Sequence, residues 1–238
     1  MSKKEIVKVP DSLSKFTVVE NLGEFKEKLQ GQRGIALDID ETLSFTIKHW
    51  ISELQAKFGN PENLTAEQLI EKYRYTQNVP YWQTPQALAW MEEARNSNDL
   101  QKKLPLIENA NSIAQKVDNI IPVLAYPTNR PRSVSGGTIS WLKMHQFPPA
   151  AIIARPDDIP HLEGTKWKAG ILEFLYPEIA GIVDDHPGLV ESLSKDYKGT
   201  IFLYDIKKYS GDRDYVIPCK KWGDVLSQVE LRYSNSNF

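Results

Sequence analysis

Residues 35 to 44 read IALDIDETLS, an apolar run followed by Asp38, Asp40 and Glu41 within four positions. Two later apolar runs also end in polar residues, and a lysine-bearing segment lies between the third and fourth runs. PTNRP supplies Thr128, Asn129 and Arg130, EGTKWKAG supplies Lys166 and Lys168, and IVDD supplies Asp184 and Asp185. Carboxylates gathered in one place repel each other, and a cluster of them becomes tolerable when a divalent cation neutralises the charge. Ligands that are all oxygen point to magnesium, which keeps coordination positions open for water and for a phosphate oxygen when few carboxylates hold it. Taken together, these residue types are a set for phosphoryl transfer.

They work only if the chain brings them to one place, and its pattern says how. GIALDI (34–39), IIPVLAY (120–126), AAIIA (150–154), AGIVD (180–184) and IFLYDI (201–206) are short, β-rich apolar runs separated by helical patterns. Strands alternating with helices imply βαβ units and a parallel sheet, and near-continuous apolarity implies strands covered on both faces. In such a sheet ligands bind outside the carboxyl ends of the strands, where the residues above fall.

The long stretch between the first two runs exceeds a simple crossover, and its patterns are helical. IKHWISELQAKFG places Ile47, Trp50, Ile51, Leu54 and Phe58 on one face and ends at Gly59. Thr65 with Gln68 forms a capping-box signature before AEQLIEKYRY, and Thr84 with Pro85 opens TPQALAWMEEA. A further helix is expected over 104–117, where Ile107, Ala110, Ile113, Ala114 and Val117 are in phase. The expected fold is therefore α/β, a three-layer α/β/α, Rossmann-like core of residues 1–43 and 104–238 with a parallel sheet. Residues 44–103 form a small helical cap inserted after strand one.

Composition narrows the function classes. Charged residues at 25% and a net charge of −2 lack the basic excess that a phosphate backbone selects for, so a nucleic acid polymer is not an expected partner. No apolar run approaches the ~20 residues of a membrane span. The N-terminal MSKKEIVKVPDS is charged where a secretion signal is apolar, and the lone Cys219 forms no internal disulfide, so a cytoplasmic location is expected. The histidines 49, 145, 161 and 186 show no i, i+4 pairing that would suggest zinc. GTKWKAG is not a phosphate-binding GxxxxGK[ST] loop, and there is no GxSxG elbow.

Across the whole core the chain resembles the haloacid dehalogenase superfamily. DIDET looks like the first motif, DxDx[TV]; YPTNRP looks like the second, a strand ending in Thr or Ser; Lys168 or Lys166 looks like the third; and VDD looks like the fourth. The resemblance implies a magnesium-dependent phosphomonoester hydrolase. Asp38 would be the nucleophile that becomes an aspartyl-phosphate, and Asp40 the acid and base. Magnesium would be held by the Asp38 side chain, the Asp40 backbone carbonyl and Asp184, with Asp185 orienting the lysine or a metal-bound water. Thr128 and the lysine would bind the phosphoryl oxygens. Lys168, at the start of a helical pattern, is preferred over Lys166.

Glu41 stands where many members have glycine. DxDET occurs in class C acid phosphatases and in the phosphatases of polymerase tails, and the charged MSKKEIVKVPDS is not expected to be the secretion signal of the former. A cap in this position implies a small phosphorylated metabolite, with a slight lean toward a mononucleotide. Asn129 and Arg130 are candidate substrate contacts, although Arg130 equally suits pairing with a surface acid. Trp50, Tyr73, Tyr75, Tyr81, Trp82 and Trp90 suit either a small core or stacking on a ring; Tyr81 and Trp82, in a loop pattern, are the better substrate candidates. A phosphotransferase using the same residues, or a binding module that has lost turnover, are the alternatives.

Overall fold

The computed structural model of the chain describes residues 13–234; the charged N-terminal stretch 1–12 lies outside the described residues. Each apolar run becomes a strand of one parallel sheet: β2 (Gly34–Leu37), β3 (Val123–Pro131), β4 (Ala151–Arg155), β5 (Ile179–Asp184) and β6 (Thr200–Tyr204). Two short edge strands, β1 (Thr17–Val18) and β7 (Val216–Cys219), complete the order β1-β4-β3-β2-β5-β6-β7. Neither edge strand is marked by an apolar run. Thr17–Val18 is only two residues long, and Pro218 interrupts Val216–Cys219, so neither carries a β pattern of its own.

Side chains alternate across the sheet with the period of two that a pleated strand imposes. Ile35 and Leu37 of β2, Ile152 of β4 and Phe202 of β6 enter one core, with Ala110 and Ala114 of α6 (Ala110–Asp118), Trp141 of α7 (Ser135–Met144) and Val225 and Val229 of α10 (Trp222–Tyr233). Ala36, Ile153, Ile182 and Ile201 face the opposite way. They pack against Phe25 and Leu29 of α1 (Leu22–Leu29), Leu172 and Leu175 of α8 (Gly164–Leu175), and Leu189 of α9 (Pro187–Ser192). The result is three layers, with the polar ends of β2, β3 and β5 at one edge.

Between β2 and β3 the chain is helical: α2 (Thr46–Phe58), α3 (Ala66–Tyr73), α4 (Pro85–Arg95) and the short α5 (Asn98–Gln101). The local signals in the sequence act as anticipated. Thr65 and Gln68 make the reciprocal capping box, Thr84 accepts from the Ala87 N–H with Pro85 in the first turn, and α2 stops at Gly59 with φ of 85°. Ile51, Leu54, Leu69, Val79, Trp82 and Ala87 form a small separate core. The helix expected from residue 104 starts instead at Ala110. The preceding residues are used in a backbone clasp, where the Phe45 N–H donates to the Pro105 carbonyl at 2.9 Å and the Ile107 N–H to the Leu43 carbonyl at 2.8 Å. The two ends of the helical insertion are thus hydrogen-bonded to each other. No helix among the described residues is long and apolar enough to cross a membrane.

Candidate active site

Asp38 follows the last residue of β2, and its N–H extends the sheet ladder to the Val183 carbonyl at 2.9 Å. Lys168, one turn into α8, reaches across and donates to Asp38 Oδ1 at 2.6 Å and to Asp184 Oδ2 at 2.8 Å. All three side chains are buried, Asp184 completely. Lys166 is exposed. The lysines are two positions apart, which puts them on different faces of a helix, and only tertiary packing selects the inward one.

Asp38, Asp184 and Asp185 each offer a carboxylate oxygen within 4.8 Å of the others. Asp185 also accepts from the Thr42 hydroxyl at 3.3 Å. Three carboxylates against one ammonium leave two negative charges. Burial, reinforced by Asp184 and only partly offset by Lys168, pushes the Asp38 carboxyl up to about 7. Burial and the Asp184 and Asp38 charges raise Asp185 well above the usual carboxylate range. Against its burial, the two aspartates raise the Lys168 pKa and keep the ammonium charged. This uncompensated, all-oxygen donor set fits a hard divalent cation. The Asp40 carboxylate lies outside the set.

Asp40 is held elsewhere. Arg130, whose side chain is 3% exposed, donates through Nε to both Asp40 oxygens at 3.1 and 3.0 Å and through Nη2 to Oδ1 at 2.7 Å. Thr46, the first residue of α2, donates its hydroxyl to Oδ1 at 2.6 Å. Burial alone would raise the Asp40 pKa; the Arg130 charge and these hydrogen bonds outweigh it and hold the carboxyl below its usual range. Oδ2, with one bond, is the less committed oxygen. Arg130 also donates to the Ser44 and Thr138 hydroxyls at 3.2 and 3.4 Å. It therefore has a partner other than a surface acid, and its fork is committed to Asp40 rather than to a substrate phosphate.

Glu41, which had no role in the sequence reading, accepts from the Ile47 N–H at 2.6 Å. The residue before α2, Phe45, has no capping side chain, so Glu41 supplies the missing acceptor at that helix start. Burial pushes its carboxyl up to about 7 in spite of that bond. Asp40 and Glu41 together tie the loop after β2 to the first turn of the insertion.

These groups form the floor of a cavity of about 520 Å³. Asn129, Arg130 and His186 line it; Thr128 does not, being fully buried with its hydroxyl accepting from the Arg130 N–H at 3.2 Å. Tyr81 and Trp82 do not line it either, which corrects their assignment as substrate contacts. Trp82 is fully buried in the insertion's own core and spends its indole N–H on the Gly59 carbonyl at 3.0 Å, while the Tyr81 ring packs edge-on against it. The aromatic residues at the cavity are Trp50, Tyr75 and Trp90. Tyr75 bridges the rim, its hydroxyl 3.4 Å from His186 Nε2, while His186 Nδ1 accepts from the Gly188 N–H at 3.1 Å and caps α9. Thr46 and Gln101 also line the cavity, and no local signal in the sequence singled them out.

The fold is shared with solved structures described as haloacid dehalogenase superfamily hydrolases and dehalogenases. A solved superfamily hydrolase of subfamily IA from Geobacter sulfurreducens PCA is similar with a TM-score of 0.51 at 12% identity, over 83% of this chain and 96% of that one. A dehalogenase solved with an intermediate complex is similar with a TM-score of 0.50 at 13% identity, over 86% of this chain and 98% of that one. No protein-family model and no curated protein matches the sequence.

Proposed function

We propose that the chain is a magnesium-dependent phosphomonoester hydrolase acting through an aspartyl-phosphate on Asp38, with residues 44–103 serving as its cap. The observation that carries this reading is the buried Lys168 ion pair with Asp38 and Asp184, beside Asp185 on the floor of a cavity. Asp38, Asp184 and Asp185, with the Asp40 backbone carbonyl, would hold the ion. When bound, it would supply positive charge to the transferring phosphoryl group.

The residues of the chain divide the reaction between them. An Asp38 oxygen forms a bond to phosphorus as the bond from phosphorus to the ester oxygen breaks; Asp40, a carboxylate in the free site, takes up the proton that the phosphomonoester monoanion brings and passes it to the departing oxygen. Water then attacks phosphorus and gives its proton to Asp40, the bond to Asp38 breaks, and inorganic phosphate leaves. Lys168 keeps Asp38 oriented and offsets the charge that grows on the phosphoryl oxygens. An aspartate two residues after the nucleophile favours phosphoester hydrolysis over dehalogenation, since a departing halide needs no proton. A cavity of about 520 Å³ suits a small phosphorylated metabolite.

The test is phosphate release from a panel of mononucleotides, sugar phosphates and an activated aryl phosphate, with magnesium or with chelator, and with Asp38→Asn as the blank. The expected result is magnesium-dependent release that falls at least about 10³-fold in the variant. Release that survives in Asp38→Asn would refute the mechanism.

A further inference from the structure

Beyond the carboxylate floor, the cavity has a second wall with a different character. Ile47 and Trp50 on α2 and Trp90, Met91 and Ala94 on α4 line it. On the same helices Ile51, Leu54 and Ala87 turn into the insertion's own core. Ile47, Trp90 and Met91 pack against that core on one side and line the space above the phosphoryl site on the other. Trp50 and Trp90 meet edge to face, with centroids 6.0 Å apart at 76°, and Phe58 braces Trp90 from a second side at 6.2 Å. Rings packed this way are held in place, with Lys57 Nζ over one face of Trp90 at 5.6 Å from its centroid, and apolar surface of this kind is stabilised when a ligand displaces water from it.

A second observation comes from Gln101. Its side chain lines the same cavity and is 4% exposed; its amide nitrogen donates to the Arg95 carbonyl at 3.4 Å, and its amide oxygen has no partner. A buried carbonyl oxygen without a donor is unfavourable, and a ligand N–H or O–H would relieve it. The cavity is also larger than a phosphoryl group and an ion require, which leaves room for an alcohol of substantial size.

Resting on the hydrolase reading above, we infer that the alcohol part of the substrate carries a planar heteroaromatic ring bearing an N–H or O–H donor, laid against Trp50 and Trp90 with its donor toward Gln101. The ring phosphates with this chemistry are nucleoside monophosphates and pyridoxal 5′-phosphate; open-chain and simple sugar phosphates lack it.

The experiment has two readouts. The first is kcat/KM for uridine, guanosine and pyridoxal phosphates relative to ribose 5-phosphate, in wild type, Trp90→Leu and Trp50→Leu. At least one ring phosphate is expected to be preferred, and the ring-to-ribose ratio is expected to fall about 10-fold in either variant, the size of a lost stacking contact. The second is quenching of tryptophan fluorescence when the same compounds are added to Asp38→Asn, which does not depend on turnover. Ring phosphates should quench, and quenching should be weaker in the Asp38→Asn/Trp90→Leu double variant. Ribose 5-phosphate turned over as well as every ring phosphate, or no quenching by any ring compound, overturns the inference. Phosphate release that persists in Asp38→Asn would instead overturn the hydrolase reading and leave the fluorescence result to decide the ring site. Thermal melts of both tryptophan variants separate loss of the ring contact from loss of the fold.

Discussion

Replacing Arg130 with methionine keeps most of the side-chain volume and removes the fork that holds Asp40. Three donor contacts to that carboxylate disappear, at 3.1, 3.0 and 2.7 Å, along with the bonds to Ser44 and Thr138. Removing one partner from a buried ion pair costs about 3–5 kcal/mol, because the other is left buried and uncompensated. The Asp40 side chain is 29% exposed and keeps its Thr46 bond, so the lower end applies, about 3 kcal/mol. With a urea m-value of about 3 kcal/mol/M for a chain of this size, the unfolding midpoint should fall by about 1 M.

Asp40→Asn is the partner variant. An amide carries no charge to strand, so Arg130→Met made in the Asp40→Asn background should cost only about 1–2 kcal/mol, giving a coupling energy of at least about 1 kcal/mol. Arg130→Lys keeps the charge but not the planar fork and should fall between wild type and Arg130→Met. If the proposed mechanism holds, Arg130→Met should slow substrates with poor leaving groups more than an activated aryl phosphate, because Asp40 would no longer be positioned to move the proton. A midpoint shift corresponding to less than about 1 kcal/mol, or the same cost in both backgrounds, would refute the claim that this pair holds the loop.

Glu41→Ala should lower stability by about 1–2 kcal/mol in the same assay, since the Ile47 N–H at the start of α2 loses its acceptor, while Glu41→Gln, which still offers an oxygen, should lose well under that. Gly137→Ala should destabilise by at least about 1–3 kcal/mol, because a methyl there would run into the backbone of Asn98 in α5; Gly170→Ala, in the interior of α8 with open space beside it, should raise the melting temperature by the equivalent of about 0.5–1 kcal/mol. Cys219 is fully buried and its thiol is pushed up to about 12 by burial and by Asp224, so a thiol reagent at pH 8 should leave the native protein unlabelled and react with a single thiol after denaturation.

The elements that could be read from the sequence are those whose cause is local. Thr65 with Gln68, Thr84 with Pro85, and Gly59 set helix ends through contacts within a few residues, and the structure uses all of them. The apolar runs of β2 to β6 declared themselves because a strand covered on both faces has no polar side. Asp38 and Asp184 were legible for the related reason that a polar residue closing such a run marks the edge of the sheet.

What the sequence could not determine depends on partners far away in the chain. Lys168 lies 130 residues from Asp38 and Arg130 lies 90 from Asp40, and no periodicity reports on contacts of that range. The choice of Lys168 over Lys166 follows from the rotation of α8 against the sheet, and Arg130's commitment to Asp40 follows from β2 and β3 lying side by side. The helix expected from residue 104 yielded to pairing with residues 43–45, a tertiary clasp that overrides local propensity. The aromatic residues differ for the same reason. Trp50, Trp82 and Trp90 all lie in the insertion, but only the packing of α2 and α4 sends Trp82 into a core and leaves Trp50 and Trp90 facing the cavity. The sequence thus determined which residues have the chemistry, and the tertiary structure decided which of them meet, because chemistry resides in single side chains while proximity depends on the packing of the whole chain.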